Sequence, residues 1–267
     1  MKISRAPLAF RTIKNFNKRP FALFLFCFFI FLRAAAQDVD ALIREANRLE
    51  AVPDEKACFA KCKEILKLQP LNIYALNKSS ELCSRIGKRE KVKTLRDSYY
   101  AAAKTYAGIV LKMDPYNSEA NCVLAMAMGR SSMAKTGREK IDNAKDIKKH
   151  IDMALKKDPQ NFKAWHILGR WHYEISNLNV FEKSAVNLFY GGMPAASLKE
   201  SIQCFEKARS LAPGFILNYF EMSKAYKGNG EDSKAIGYLN TMLLLPNQTE
   251  DDPDIKEMAR IILTQWQ

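Results

Sequence analysis

Apolar side chains recur along this chain three and four positions apart, in stretches long enough for helices and separated by short polar phrases. Leu42, Ala46 and Leu49, then Cys58, Cys62 and Ile65, fall on single helix faces at that spacing. Tyr219, Met222 and Tyr226, then Ala235, Leu239 and Met242, repeat the arrangement near the other end. No stretch of useful length alternates apolar and polar residues, so no sheet is expected.

The phrases between the stretches are themselves repetitive. Leu68-Gln69-Pro70-Leu71-Asn72, Met113-Asp114-Pro115-Tyr116-Asn117, Lys157-Asp158-Pro159-Gln160-Asn161, Leu211-Ala212-Pro213-Gly214 and Leu244-Leu245-Pro246-Asn247 each close one amphipathic stretch and precede another. Proline cannot continue a helix and disfavours helix in the residue before it. Aspartate and asparagine supply turn and N-cap chemistry for the helix that follows. The chain thus divides into units at 39–72, 73–117 and 118–161, a fourth broken by an insertion, and 216–249.

This pattern resembles the tetratricopeptide family, whose 34-residue helix pair carries W-x2-L-G-x2-Y on the first helix and A-x3-F, A and P on the second. The fourth unit has Trp165, Leu168 and Gly169 in the first-helix positions, with His172 in place of the tyrosine. Ser201, Phe205, Ala208 and Pro213 follow at the second-helix spacing, after about twenty extra residues. Units two and three are longer than the consensus, and the excess predicts extended second helices over Lys91–Lys112 and Arg138–Lys156. Gly169, Ala208 and Ala235 mark places where paired helices approach closely. The stretch Asp251–Trp266 is expected to cap the array, because a terminal repeat must shield the last apolar face. The fold class expected is therefore all-α: a solenoid of about five antiparallel helix pairs plus a C-terminal capping helix.

Charge changes the picture only at the beginning of the chain. The formal net charge is +13. Seven basic residues and no acidic one lie in residues 1–36, leaving 35 basic against 29 acidic residues spread through mixed-sign helices. A nucleic-acid partner calls for Lys and Arg clustered on one face with interleaved aromatics, so none is expected. Residues 1–36 read as a targeting segment: a basic stretch to Lys18-Arg19, the apolar run Phe21–Leu32, then Ala34-Ala35-Ala36 before Gln37. Twelve apolar residues suit an export signal better than a bilayer span, which needs about 20. Residues 1–36 are read as a signal peptide and 37–267 as the repeat domain, in an exported protein, periplasmic or secreted. The alternative is a retained anchor through residues 21–36, the only case in which membrane contact is expected. Beyond residues 1–36, which hold Cys27, the cysteines Cys58, Cys62, Cys83, Cys122 and Cys204 are odd in number and scattered, which is no disulfide framework. One bridge among Cys58, Cys62 and Cys83 and simple burial as small apolar side chains are the two readings of that group.

A closer resemblance rests on Ala164–Ile175 (AWHILGRWHYEI), on Phe181-Glu182-Lys183, Phe189-Tyr190-Gly191 and Pro213-Gly214-Phe215 in that order, and on Leu245–Asp252 (LPNQTEDD). These are similar to the tetratricopeptide-like domain of the regulator of microtubule dynamics proteins, over about residues 50–265. The resemblance implies a helical fold and a binding role, in eukaryotes toward microtubules or at organelle membranes. The bacterial look of the leader implies that the fold carries over and the microtubule role does not.

Site chemistry is sparse. The histidines are His150, His166 and His172, and the latter two fall on different faces of one helix, so no metal site is expected. No zinc, calcium, P-loop or nucleophile-elbow pattern occurs, and neither an enzyme nor a cofactor is expected. Asp114 with Glu119, and Asp251 with Asp252, are read as capping residues at helix starts. The aromatic insertion Leu178–Ala196 is read either as a short helix tucked onto its own repeat or as a lid over a groove, since exposed apolar groups in number are costly. Trp165 is read as core. His166, Arg170, Trp171, Phe181, Phe189 and Tyr190 are the expected partner-binding residues. Arg170 leads because it sits between packing positions on the first helix, the one that lines a tetratricopeptide groove. The partner expected is a protein or peptide.

Overall fold

The computed structural model describes residues 39–132 and 136–266. The chain divides after Asp40, and the body described here is the second unit, Ala41–Gln267. Residues 1–36, read from sequence as a targeting segment, lie outside the described residues. Every regular element among those described is a helix. They are α1 (helical over 41–51), α2 (Glu55–Leu68), α3 (Ile73–Arg89), α4 (Lys93–Met113), α5 (Ser118–Ser132) and α6 (Gly137–Lys157), followed by α7 (Phe162–Ser176), α8 (Val180–Tyr190), α9 (Leu198–Leu211), α10 (Ile216–Gly228), α11 (Asp232–Leu244) and α12 (Asp252–Trp266).

The proline phrases do what their residues dictate. Asp114 and Asp158 close α4 and α6 with their own N–H groups donating to Val110 and Ala154 carbonyls. Their carboxylates then accept from Tyr116 and Gln160 N–H at 3.0 and 2.9 Å, which turns the chain. Three residues after each aspartate, Asn117 and Asn161 accept from the N–H groups of Ala120 and Ala164 and start α5 and α7. Asn72 serves α3 in the same way. Both lengthened second helices, α4 and α6, run to 21 residues.

The helices stack as pairs. α2 packs on α3, α3 on α4, α5 on α6 and α10 on α11, while α7 pairs with α9 across the inserted α8. α2 also docks on α1, where the Cys58 thiol donates to the Ala46 carbonyl at 3.3 Å. A second set of contacts joins first helix to first helix: α3 to α5, α5 to α7, α7 to α10 and α10 to α12. One layer of the stack is therefore made of first helices, with α12 standing as the first helix of an uncompleted pair. Apolar residues at the expected spacing form the core, including Phe205, Met222, Leu239, Met242 and Ile255, all essentially inaccessible. The five described cysteines are all buried and unpaired. Burial pushes the Cys83 and Cys204 thiols up to about 12. They fill space as small apolar groups.

Gly169 shows why the fourth pair needs a glycine. A Cβ there would lie 2.8 Å from the Phe205 ring. The Ser201 hydroxyl donates to the Gly169 carbonyl at 2.8 Å, so α7 and α9 meet backbone to side chain. Gly87 plays the same part between α3 and α4, where a Cβ would meet Tyr99 and Tyr100 at 2.9 Å.

Candidate partner-binding face

The layer of first helices presents one row of residues per helix, at spacings of three, four, seven or eleven positions that keep them on one side. α3 contributes Glu81, Arg85 and Arg89, and α5 contributes Glu119 and Arg130. From α7 come Lys163 and Arg170, and from α10 Glu221 and Lys224. These charges pair across helices. Lys163 Nζ bridges Glu81 of α3 at 2.8 Å and Glu119 of α5 at 2.7 Å, and Lys78 holds Glu50 of α1 at 2.8 Å. Glu81 is 5% exposed, yet three cations hold its carboxyl well below the usual range, with Lys163 first among them against the cost of burial. Lys163 is driven up in turn by Glu81 and Glu119. A cavity of about 470 Å³ opens beside this cluster, between Tyr74, Lys78, Glu119, Phe162 and Lys163.

The two ends of the repeat array meet on the same side. Glu55, at the start of α2 and 1% exposed, receives Arg85 and Arg89. Arg89 also reaches Glu250 and Asp251 at 3.0 and 3.1 Å, and Lys88 reaches Asp251 at 2.8 Å. The Glu55 N–H donates to Glu250 Oε1 at 2.7 Å. Asp251 is therefore not a simple capping residue: its carboxylate crosses to α3. Asp252 is not a simple cap either: it accepts from Gln248 and Thr249 N–H at 2.7 and 2.8 Å and closes the turn that leads into α12. Glu119 likewise spends its charge on Lys163.

The expected binding residues are distributed over three environments. His166 is buried, its Nδ1 3.0 Å from Asn218 Oδ1, with its ring between Phe205 and Phe215. Burial above all, with Arg170 and Arg130 adding to it, holds its proton affinity down to about 4. Trp171 is also buried, its indole N–H donating to the Ala144 carbonyl at 2.8 Å. Both side chains pack helix against helix. Trp165, read as core, is only partly buried, and its indole N–H donates to the Pro159 carbonyl. Arg170 faces the first-helix row, with its side chain 37% exposed. Phe181 and Phe189 project from α8, 87% and 69% exposed. Tyr190 closes α8, and its side chain lies outside the described residues.

The insertion is thus a helix, but Phe181 and Phe189 are not tucked away. α8 is set off by a capping box between Asn179 and Glu182 and ends on Gly191 in the left-handed conformation, φ 70°. It borders α6, and among its described side chains only Val186, 7% exposed, is buried.

Sequence reasoning missed Glu81, Lys163, Arg130 and the acidic turn Glu250-Asp251. A signal was present: charged residues recurring four, seven and eleven apart on helices that are otherwise small and apolar. Among the described residues no three His, Cys, Asp or Glu side chains are grouped to hold a metal, and no helix is long and apolar enough to cross a membrane.

The family model of regulator of microtubule dynamics protein 1-3 matches residues 42–267. Regulator of microtubule dynamics protein 2 of Homo sapiens is 30% identical over 172 residues, 63% of this chain and 42% of its own length. Regulator of microtubule dynamics protein 3 of Xenopus laevis is 30% identical over 158 residues, 59% of this chain and 34% of its own. The chain thus aligns with about two fifths or less of each of these relatives. Among solved structures, a thermophilic TPR protein of Thermus thermophilus superposes with a TM-score of 0.62 at 13% identity, over 85% of this chain and 99% of that one. That likeness shows a tetratricopeptide-like fold.

Proposed function

The chain belongs to the regulator of microtubule dynamics family, and from that premise we propose that it is a non-catalytic scaffold whose first-helix face holds a protein or peptide partner. The observation that carries this is the charged row running from α3 to α10, with Arg170, 37% exposed, accessible within it. Stacked repeats that expose one layer of helices build extended binding surfaces, and a row of paired charges gives such a surface orientation and selectivity more than bulk affinity. The exposed aromatics of α8, Phe181 and Phe189, lie outside the row and are read as a second contact for the same partner. The burial of His166 supports the non-catalytic reading, because that imidazole is committed to Asn218 and two aromatic rings.

The leader is read as cleaved before Gln37, which places the protein outside the cytoplasm, periplasmic or secreted. A mature N-terminus at Gln37 by mass spectrometry is the expected result, and an intact Met1 or Lys2 would replace export with membrane anchoring. The microtubule role in the relatives' names is not transferred, since the match covers so little of their length. The binding reading is tested by capturing partners from the native cell envelope with wild type and Arg170→Ala side by side. Loss of a partner with unchanged thermal stability is expected. A partner kept in full by the variant places the contact elsewhere.

A further inference from the structure

Charge on the first-helix face is balanced almost everywhere. Lys78, Lys88, Arg89, Lys163 and Lys224 each hold a carboxylate at 2.6–2.9 Å. Two guanidiniums break the rule. Arg170 has its carboxylates at 3.7 Å (Glu174) and 3.8 Å (Glu221), beyond hydrogen-bond length. Glu221 is already held by Lys224 at 2.9 Å. Arg130, partly buried at the end of α5, has neither an ion pair nor a hydrogen bond among the described residues. Burial, and next to it the Arg170 charge, work against its ionised form, and Asp251 and Glu221 only offset this. Arginine stays charged in proteins, so this positive charge needs an anion or costs stability.

We infer that Arg130 and Arg170 form a carboxylate-binding subsite for an acidic peptide, seated on the first-helix face. This rests on the reading of that face as the binding surface and adds the chemical class of its ligand. Two guanidiniums offer planar forks that match a carboxylate in bidentate geometry. The protein itself supplies the precedent one step along the row. There the irregular acidic turn Glu250-Asp251 is held by Lys88 and Arg89, a peptide carboxylate on first-helix cations. Glu174 and Glu221 already stand within 3.8 Å of Arg170, which favours the single charge of a carboxylate over a dianionic phosphate.

The test uses the full-length chain and a fluorescein-labelled hexaglutamate peptide, read by anisotropy, with hexaglutamine as the uncharged control. Arg130→Gln and Arg170→Gln are each expected to weaken hexaglutamate binding about tenfold or more, the usual worth of a charge-assisted hydrogen bond. Arg138→Gln, on the outer helix α6 and 79% exposed, is expected to leave it within about twofold. Arg130→Gln is also expected to leave the melting temperature unchanged or raised, because it removes a buried charge without a partner. Equal weakening by all three variants would make the effect diffuse charge and overturn the subsite. So would a lowered melting temperature for Arg130→Gln, or displacement of the peptide by millimolar inorganic phosphate. If hexaglutamate fails to bind wild type while Arg170→Ala still abolishes partner capture, the ligand class fails and the binding face stands.

Discussion

Gly169 has no room for a side chain, and that single fact fixes how α7 and α9 meet. Phe205, fully buried, occupies the space a Cβ would need. Gly169→Leu is expected to destabilise the protein by about 1–3 kcal/mol or more, the range for overpacking a filled core, measured by denaturant unfolding. Arg170→Ala, one residue on, is expected to change stability little. Gly169 was legible because it stands in the repeat consensus. Gly87 was not, because its partners Tyr99 and Tyr100 lie on the lengthened α4, outside that register. His166 carries a pH dependence of definite sign. Its ordinary value of 6.5 is held down to about 4 in the fold, mainly by burial. Between these values the unfolded chain binds the extra proton, so stability is complete above about pH 6.5 and is lost as pH falls toward 4. The loss amounts to roughly 3.5 kcal/mol at most, at about 1.4 kcal/mol per pKa unit. Burial depresses His150 and His172 as well, with the same sign. His166→Gln, which keeps a hydrogen-bonding group for Asn218, is expected to remove most of the slope in a pH series of unfolding curves.

The C-terminal ends of α4 and α6 followed from proline phrases, and both helices begin and end within two residues of the spans read from sequence. The insertion was legible as an element, but of its two readings the tucked helix does not describe Phe181 and Phe189, which are exposed. Its apolar composition argued for burial, yet Asn179, Glu182 and Gly191 give α8 both its caps locally, and α7 and α9 close on Gly169 and Phe205 without its help. Among its described side chains only Val186 is buried. Phe181→Ser is therefore expected to leave unfolding free energy within about 0.5 kcal/mol, as for an exposed position, while weakening partner capture. A stability loss well beyond that would mean the ring packs in solution.

Contact between the two ends of the array could not be read from sequence at all. Glu55 and Glu250 are 195 residues apart, and no local pattern reports a pairing at that distance. An open stack of repeats couples only neighbours. Here Arg89 ties α2 and α3 to the turn before α12, so the first and last units should unfold together. Arg89→Met would leave the buried Glu55 with Arg85 as its remaining cation. A cost of about 1–3 kcal/mol is expected from a weakened buried ion pair, with amide exchange in α2 and in α12 accelerating in step. Faster exchange in α2 alone would show that the ends are independent.

Everything proposed for the binding role depends on which layer of helices meets the partner. Hydrogen–deuterium exchange of the protein with and without its captured partner answers that directly. Protection concentrated on α3, α5, α7 and α10, strongest around Arg130 and Arg170, is the result expected. Protection on the outer helices α4, α6, α9 and α11, with the first-helix row unchanged, would contradict it.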